Sequence, residues 1–359
     1  MKKLIFNSLT FVIILNTISF SQKENSERGK IIFKTNFVNN YILHMYCLAG
    51  IGEYKLNTEY YERYHSYIDT NDLSILKKFE SRLFFGDGKA GEFAFFCFFL
   101  PSYLELSNKK EFVEYYRILI KALELNNFNE FLQKFKIDTE DFILSNIKFF
   151  LNLPDSLHKK LIKPLNEEFK TVAEVFIRNI DSYEKYIWPH QRKEIQEKIS
   201  HWNKVFKDNN LIQRWENFTG LKFSKDYQIF LCYPNKKGPS ANSMSVDKNM
   251  FYYNFHEDFF FDFVSHEIGT HLLFPLVWTN DEIKKYIQYN ASKVYKAVES
   301  LCQFYNKKIL NKEKLSYNWY DYNADDYEKI FSKYFSKEIS QQKINMHIYL
   351  LIKGLEEVQ

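Results

Sequence analysis

The amino-acid sequence predicts an α+β protein that is mostly helical, in which a helical N-terminal half precedes a half with a small sheet and one long apolar helix. Three observations predict it. From about residue 35 to 218, apolar residues recur at helical spacing, and few glycines or prolines interrupt them. After WENFTGLKF the composition turns to β-formers, in YQIFLCY at 227–233 and again in NSMSVDKNMFYYN at 242–254. The Phe-rich stretch FDFVSHEIGTHLLFPLV, 261–277, comes next and carries two of the chain's nine histidines.

The opening MKKLIFNSLTFVIILNTISFSQKENS has two lysines, an apolar run and the small-x-small triplet Ser19-Phe20-Ser21 before Gln22. Those are the parts of a secretory signal peptide, expected over 1–21 and removed on export to a periplasm or the outside. No cysteine stands at the cleavage point for lipid attachment, and no later segment is long enough for stable membrane insertion. Beyond it, the expected regions are 22–220, helical, and 221–359, which carries the sheet and the motif. With 359 residues and 45% hydrophobic content the chain can bury a large core. A formal charge of +4, falling by two when Lys2 and Lys3 leave, comes with no basic block and excludes a nucleic-acid footprint. The 36 Phe and 26 Tyr beside many Lys, Asn and Ile read as codon bias rather than sugar-stacking surfaces. Cys47, Cys97, Cys232 and Cys302 all sit in apolar contexts, without disulfide-framework or CxxC spacing, and read as core thiols.

In the helical region, 110–135 and 158–187 read as amphipathic helices, with breaks expected at LNLPDS and IWPHQ. Asn254 followed by Glu257 reads as an N-cap pair for a helix over about 255–274, which Pro275 should end. A further helix over about 281–309 opens at TNDE; the aromatic, acidic loop SYNWYDYNADDY follows, and KINMHIYLLIKGLEEV closes the chain as a helix. His256-Glu257 is a second His-Glu pair without a partner at useful spacing, and reads as a helix start.

The chemistry lies in the order His266, Glu267, Ile268, Gly269, Thr270, His271. A zinc hydrolase needs imidazoles or carboxylates converging on the metal, one open position, and a carboxylate that takes the proton of the attacking water. In HExxH the second histidine returns to within about 40° of the first; here, at about 100° per residue, it swings to about 140°, and Thr270 takes the shared face. One extra residue in a turn is what a π-bulge accommodates, and at about 4.4 residues per turn His271 would return to about 50°. Gly269 eases that distortion, and Pro275 cannot donate to the His271 carbonyl. A widened turn is therefore expected between the two histidines.

The layout resembles the gluzincin class of zinc metallopeptidases, in which a strand and an edge strand precede the motif helix and a later helix supplies a glutamate as third ligand. HEIGTH is similar to the HExxxH variant of the microtubule-associated tyrosine carboxypeptidase family and its bacterial relatives, where a downstream Glu-Gly-Leu-Ala run supplies that glutamate. This chain has Glu299-Ser300-Leu301-Cys302 in that place, 28 residues after His271, with Ser for Gly and Cys for Ala. The resemblance spans about residues 227–305. It implies a zincin-like catalytic half with Zn²⁺ held by His266, His271 and Glu299, Glu267 as general base, and a peptide or protein substrate. The tubulin-directed activity is not carried over to an exported chain. Glu299 lies about 40° beyond Tyr295 on the helical wheel, at the shoulder of the apolar stripe. Glu282, Asp321 and Asp325 are fallback ligands. Tyr320, Tyr322 and His347 are candidates to stabilise an oxyanion, and residues 242–253 are the candidate edge strand for an extended peptide. The alternative expectation is a non-catalytic exported helical binding protein whose metal site is incidental or structural.

Overall fold

The computed structural model describes residues 29–86, 89–137, 154–223, 225–234, 236, 241–317, 323–336 and 343–358; the signal peptide expected over 1–21 lies outside them. The fold is mostly helical with one four-stranded mixed sheet and a small antiparallel pair, Phe85–Gly86 with Lys89–Ala90. Two compact units interleave along the chain. The first comprises 33–202 with 228–254, and the second comprises 29–32, 203–227 and 255–358. The strand residues from 228 to 252 fall in the same unit as most of the helical half.

The first unit is built around α1, Phe37–Ala49, whose thirteen residues are all buried. Asn36 caps it by accepting from the Asn39 amide, and Gly50 ends it with φ 64°, a left-handed conformation that glycine adopts without strain. A helix buried on every side must partner its polar residues inside. Asn40 does so through Thr35 Oγ1, the Asn36 carbonyl and the Tyr233 amide. His44 Nδ1 lies 2.8 Å from the Tyr60 hydroxyl, which accepts from Gln191 Nε2 at 2.9 Å. Around α1 pack α2, Lys109–Leu125, and α3, Lys163–Ser182, joined by a Phe- and Tyr-rich core that includes Phe112, Tyr116, Phe169 and Phe176.

The 110–135 helix is two helices, because Asn126 turns left-handed (φ 51°) and ends α2 before a short helix at Asn129–Phe135. The 158–187 helix opens with a π turn at His158–Ile162 and runs on into α4, Trp188–Phe206, through a second at Tyr183–Ile187. Pro189 does not break it: the widened turn just before it relaxes the clash that proline would make with a preceding carbonyl.

The strands are β1, Ile31–Lys34; β2, Tyr227–Cys232; β3, Ala241–Ser245; and β4, Lys248–Tyr252, in the order β1-β2-β4-β3. β2 and β4 are parallel, and β3 and β4 form an antiparallel hairpin with an irregularity between Ser243 and Ser245. The single strand-like run at 242–254 is thus two strands. Phe230, Cys232, Met244 and Met250 project from the sheet into the first unit's core. All four cysteines are free and buried, and burial pushes the Cys47 and Cys97 thiols up to about 12.

The second unit contains α5, Leu211–Thr219; α6, Glu257–Thr279; α7, Asp281–Leu310; α8, Ala324–Tyr334; and α9, Lys343–Glu357. α7 packs along α6, α8 and α9. It is kinked at Asn290 (φ −157°, ψ 81°), whose side chain accepts from the Lys293 amide and restarts the helix. Among the described residues, no helix is long and apolar enough to cross a membrane.

Candidate functional site

The motif helix departs from its sequence expectation at both ends and in the middle. Its N-cap position is His256, with no side-chain capping bond, so Asn254 does not cap it. Pro275 does not end it either, because α6 continues to Thr279 with Pro275 inside. The proline removes only the bond to the His271 carbonyl, while buried Val277 and Trp278 and the bonds from Thr279 Oγ1 to the Pro275 and Leu276 carbonyls hold the extra turn. The expected widened turn is absent. α6 is regular α-helix throughout, which leaves His271 about 140° round from His266 and puts Thr270 on the His266 face.

That face meets α7. Glu299 Oε2 lies 2.8 Å from His266 Nε2, with His266 at 0% and Glu299 at 5% exposure. Around the imidazole, Phe263 lies nearly parallel at 6.1 Å between ring centroids, and Tyr317 stands edge-on at 5.3 Å. Glu267 is buried beside His266 in sequence, and His271 is buried with its ring perpendicular to Tyr227 at 5.1 Å. Cys302, one turn beyond Glu299, shares this region: burial first, and then the Glu299 charge, raise its thiol far above the ordinary range. A bond with Thr270 opposes that rise, and the Glu267 charge adds to it. Thr270 Oγ1 also donates to the His266 carbonyl at 3.3 Å.

Gly269 has a steric reason to be glycine. A Cβ there would come within 2.2 Å of the Trp215 ring, which is buried against α6 and donates from Nε1 to Ser265 Oγ at 3.0 Å. One turn before His266, Asp262 is wholly buried. Its carboxylate accepts from Lys312 Nζ at 2.5 Å, and from the Ser316 amide and hydroxyl at 2.9 Å each. Asn306 of α7 donates to the Asp262 carbonyl and to the Tyr317 hydroxyl. Burial raises the Tyr317 phenol well above its ordinary value, the Asn306 bond opposing.

Of the residues expected from sequence, the structure brings His266 and Glu299 together and leaves His271 on another side of the helix. Glu282 and Asp325 are exposed in the first turns of α7 and α8, and Asp321, Tyr320 and Tyr322 lie outside the described residues. His347 is engaged elsewhere: it meets the Tyr305 hydroxyl at 3.1 Å and the Thr219 carbonyl at 2.9 Å. Burial pulls its pKa down to about 4. Three residues were missed from sequence, Asp262, Trp215 and Tyr317, and Cys302 was read only as a core thiol. Only Asp262 left a signal, as an acid four residues before His266 in an otherwise apolar run.

Zinc fits this site in part. His266 and Glu299 are a suitable imidazole and carboxylate in contact, and Gln303, one turn beyond Glu299, has a buried Oε1 without a hydrogen-bond partner among the described residues. Yet no three His, Cys, Asp or Glu side chains among those residues stand so that they could hold an ion. Comparison with family models, with curated proteins and with solved structures finds no match.

Proposed function

We propose that the chain is an exported zinc-dependent metallopeptidase centred on His266 and Glu299. The observation that supports this reading is the 2.8 Å approach of Glu299 to His266 between two packed helices, at positions the resemblance marks as ligands. Burying a carboxylate is costly unless a partner compensates. In this reading His266, His271 and Glu299 hold Zn²⁺, and a peptide or protein is the substrate. Zinc would polarise the scissile carbonyl and acidify the attacking water. Glu267 takes that water's proton and returns it to the leaving amine. His271 joins the set if the last turns of α6 widen by one residue, a change that Gly269 and the missing Pro275 amide favour.

The unbroken course of α6 favours a second reading, a non-catalytic exported helical binding protein in which the His266–Glu299 pair is structural or the metal site incidental. Metal analysis separates the two. The first expects about one zinc per purified chain, lost in His266→Ala and in His271→Ala; a metal-free protein of full stability supports the second. Glu267→Gln should keep the zinc and abolish peptide hydrolysis. Hydrolysis retained in that variant removes Glu267 from its role.

A further inference from the structure

We infer that residues 312–317 form a latched cover over His266, released by breaking the Asp262 contacts while α6 and α7 stay packed. Its purpose, though not its geometry, rests on the reading of His266 and Glu299 as the functional pair.

A site that acts on a peptide must admit it, yet His266 has no exposed surface. α6 and α7 bury it along their common face and separate only with loss of the unit's core. The segment after α7 is different. Asn311 ends the helix in a left-handed turn (φ 55°), and residues 312–317 follow without helix or strand. Glu313, Lys314 and Ser316 are exposed, Lys312 and Leu315 are half-buried, and Tyr317 is buried, closing the edge of the His266 ring. Its ring also rests on Phe263 at 5.5 Å.

Among the described residues, bonds at its start, middle and end hold this segment down. Near its start the Lys312 amide donates to the Lys307 carbonyl, and near its end the Tyr317 hydroxyl accepts from Asn306. Between them, one buried carboxylate collects three donors: Lys312 Nζ, the Ser316 amide and the Ser316 hydroxyl. Asp262 stands on α6 one turn before His266, so the group that fastens the cover belongs to the helix that carries the covered residue. Charge-assisted bonds to a buried carboxylate are strong together and lost together. The cover therefore has two states, fastened or free, and local opening of this kind leaves the packed helices intact. Asp262 is a positioning residue that acts through Tyr317.

Diethyl pyrocarbonate labelling of His266 in the full chain, read by mass spectrometry, tests this. His266 should label slowly in the native protein and at least about tenfold faster in Asp262→Asn/Lys312→Met and in Ser316→Ala, because local opening becomes easier. His347, buried against Tyr305 and Thr219, should keep its native rate in the same samples and so reports an intact fold. An unchanged His266 rate in a variant whose His347 stays protected overturns the inference. Should the variants lose their fold, amide exchange in the unaltered protein decides: residues 312–317 should exchange faster than 264–272, and equal protection overturns the inference as well. A chain that binds no zinc but shows the labelling difference refutes the metallopeptidase reading and leaves the cover standing.

Discussion

At the scale of the residue, the site is set by what each position excludes. Alanine normally gains about 1 kcal/mol over glycine inside a helix. At Gly269 the sign reverses, since the added carbon would lie 2.2 Å from a Trp215 ring that has no room to retreat. Gly269→Ala is expected to lower stability by about 1–3 kcal/mol, as overpacked cores do, read as a lower urea midpoint. A neutral or stabilising outcome would show that Trp215 yields. From sequence, this glycine is legible only as a flexible point in a helix. Its true neighbour comes from α5, more than fifty residues earlier in the chain, and no local pattern announces such a contact. Glu299 was legible because its spacing from the motif matches a known pattern. Tyr317 was not, because it lies in an aperiodic segment whose position depends on one distant carboxylate.

At the scale of the element, helix α6 shows where local rules give way to packing. Proline biases the preceding residue away from helix and deletes one hydrogen bond. The apolar residues after Pro275, Val277 and Trp278 in particular, bury enough surface to carry the helix onward to Thr279. The same helix lacks the widened turn that the five-residue histidine spacing predicted, while π turns occur at 95–99, 158–162 and 183–187, where no motif called for them. Spacing states what a metal would need and says nothing of whether the backbone supplies it. Pro275→Ala should restore a donor to the His271 carbonyl and raise stability by about 1–2 kcal/mol, measured by chemical denaturation. If His271 reaches a zinc ion through a widened turn, the same substitution should weaken zinc binding, since it makes the regular helix harder to distort. Stronger or unchanged zinc affinity would count against His271 as a ligand. The existence and type of the long helices were legible from periodicity. The split of 110–135 was not, because a single left-handed Asn126 decides it.

At the scale of the whole molecule, each unit holds a histidine that must stay neutral. Burial lowers His44 in the first unit from 6.5 to about 3, and lowers His347 in the second from 6.5 to about 4. In both cases the unfolded chain binds the proton more readily than the fold does. The stability these residues contribute is fully present above about pH 6.5 and is lost as pH falls through the window down to about 4 and 3. Each shift is worth about 3 kcal/mol or more at the acid end. Unfolding free energy measured across that window should fall steeply, and His347→Gln should flatten the slope. An unaltered slope in that variant would place the acid sensitivity elsewhere.

The interleaving of the two units has a consequence for how the chain comes into being. Phe230, Cys232, Met244 and Met250 complete a core whose other buried members all lie before residue 188. A ribosome that has released the entire helical half has therefore not yet delivered the side chains that close it. The second unit waits longer still, since α9 ends at Glu357. Neither unit can finish folding early, so the growing polypeptide keeps unsatisfied apolar surface until α9 has emerged.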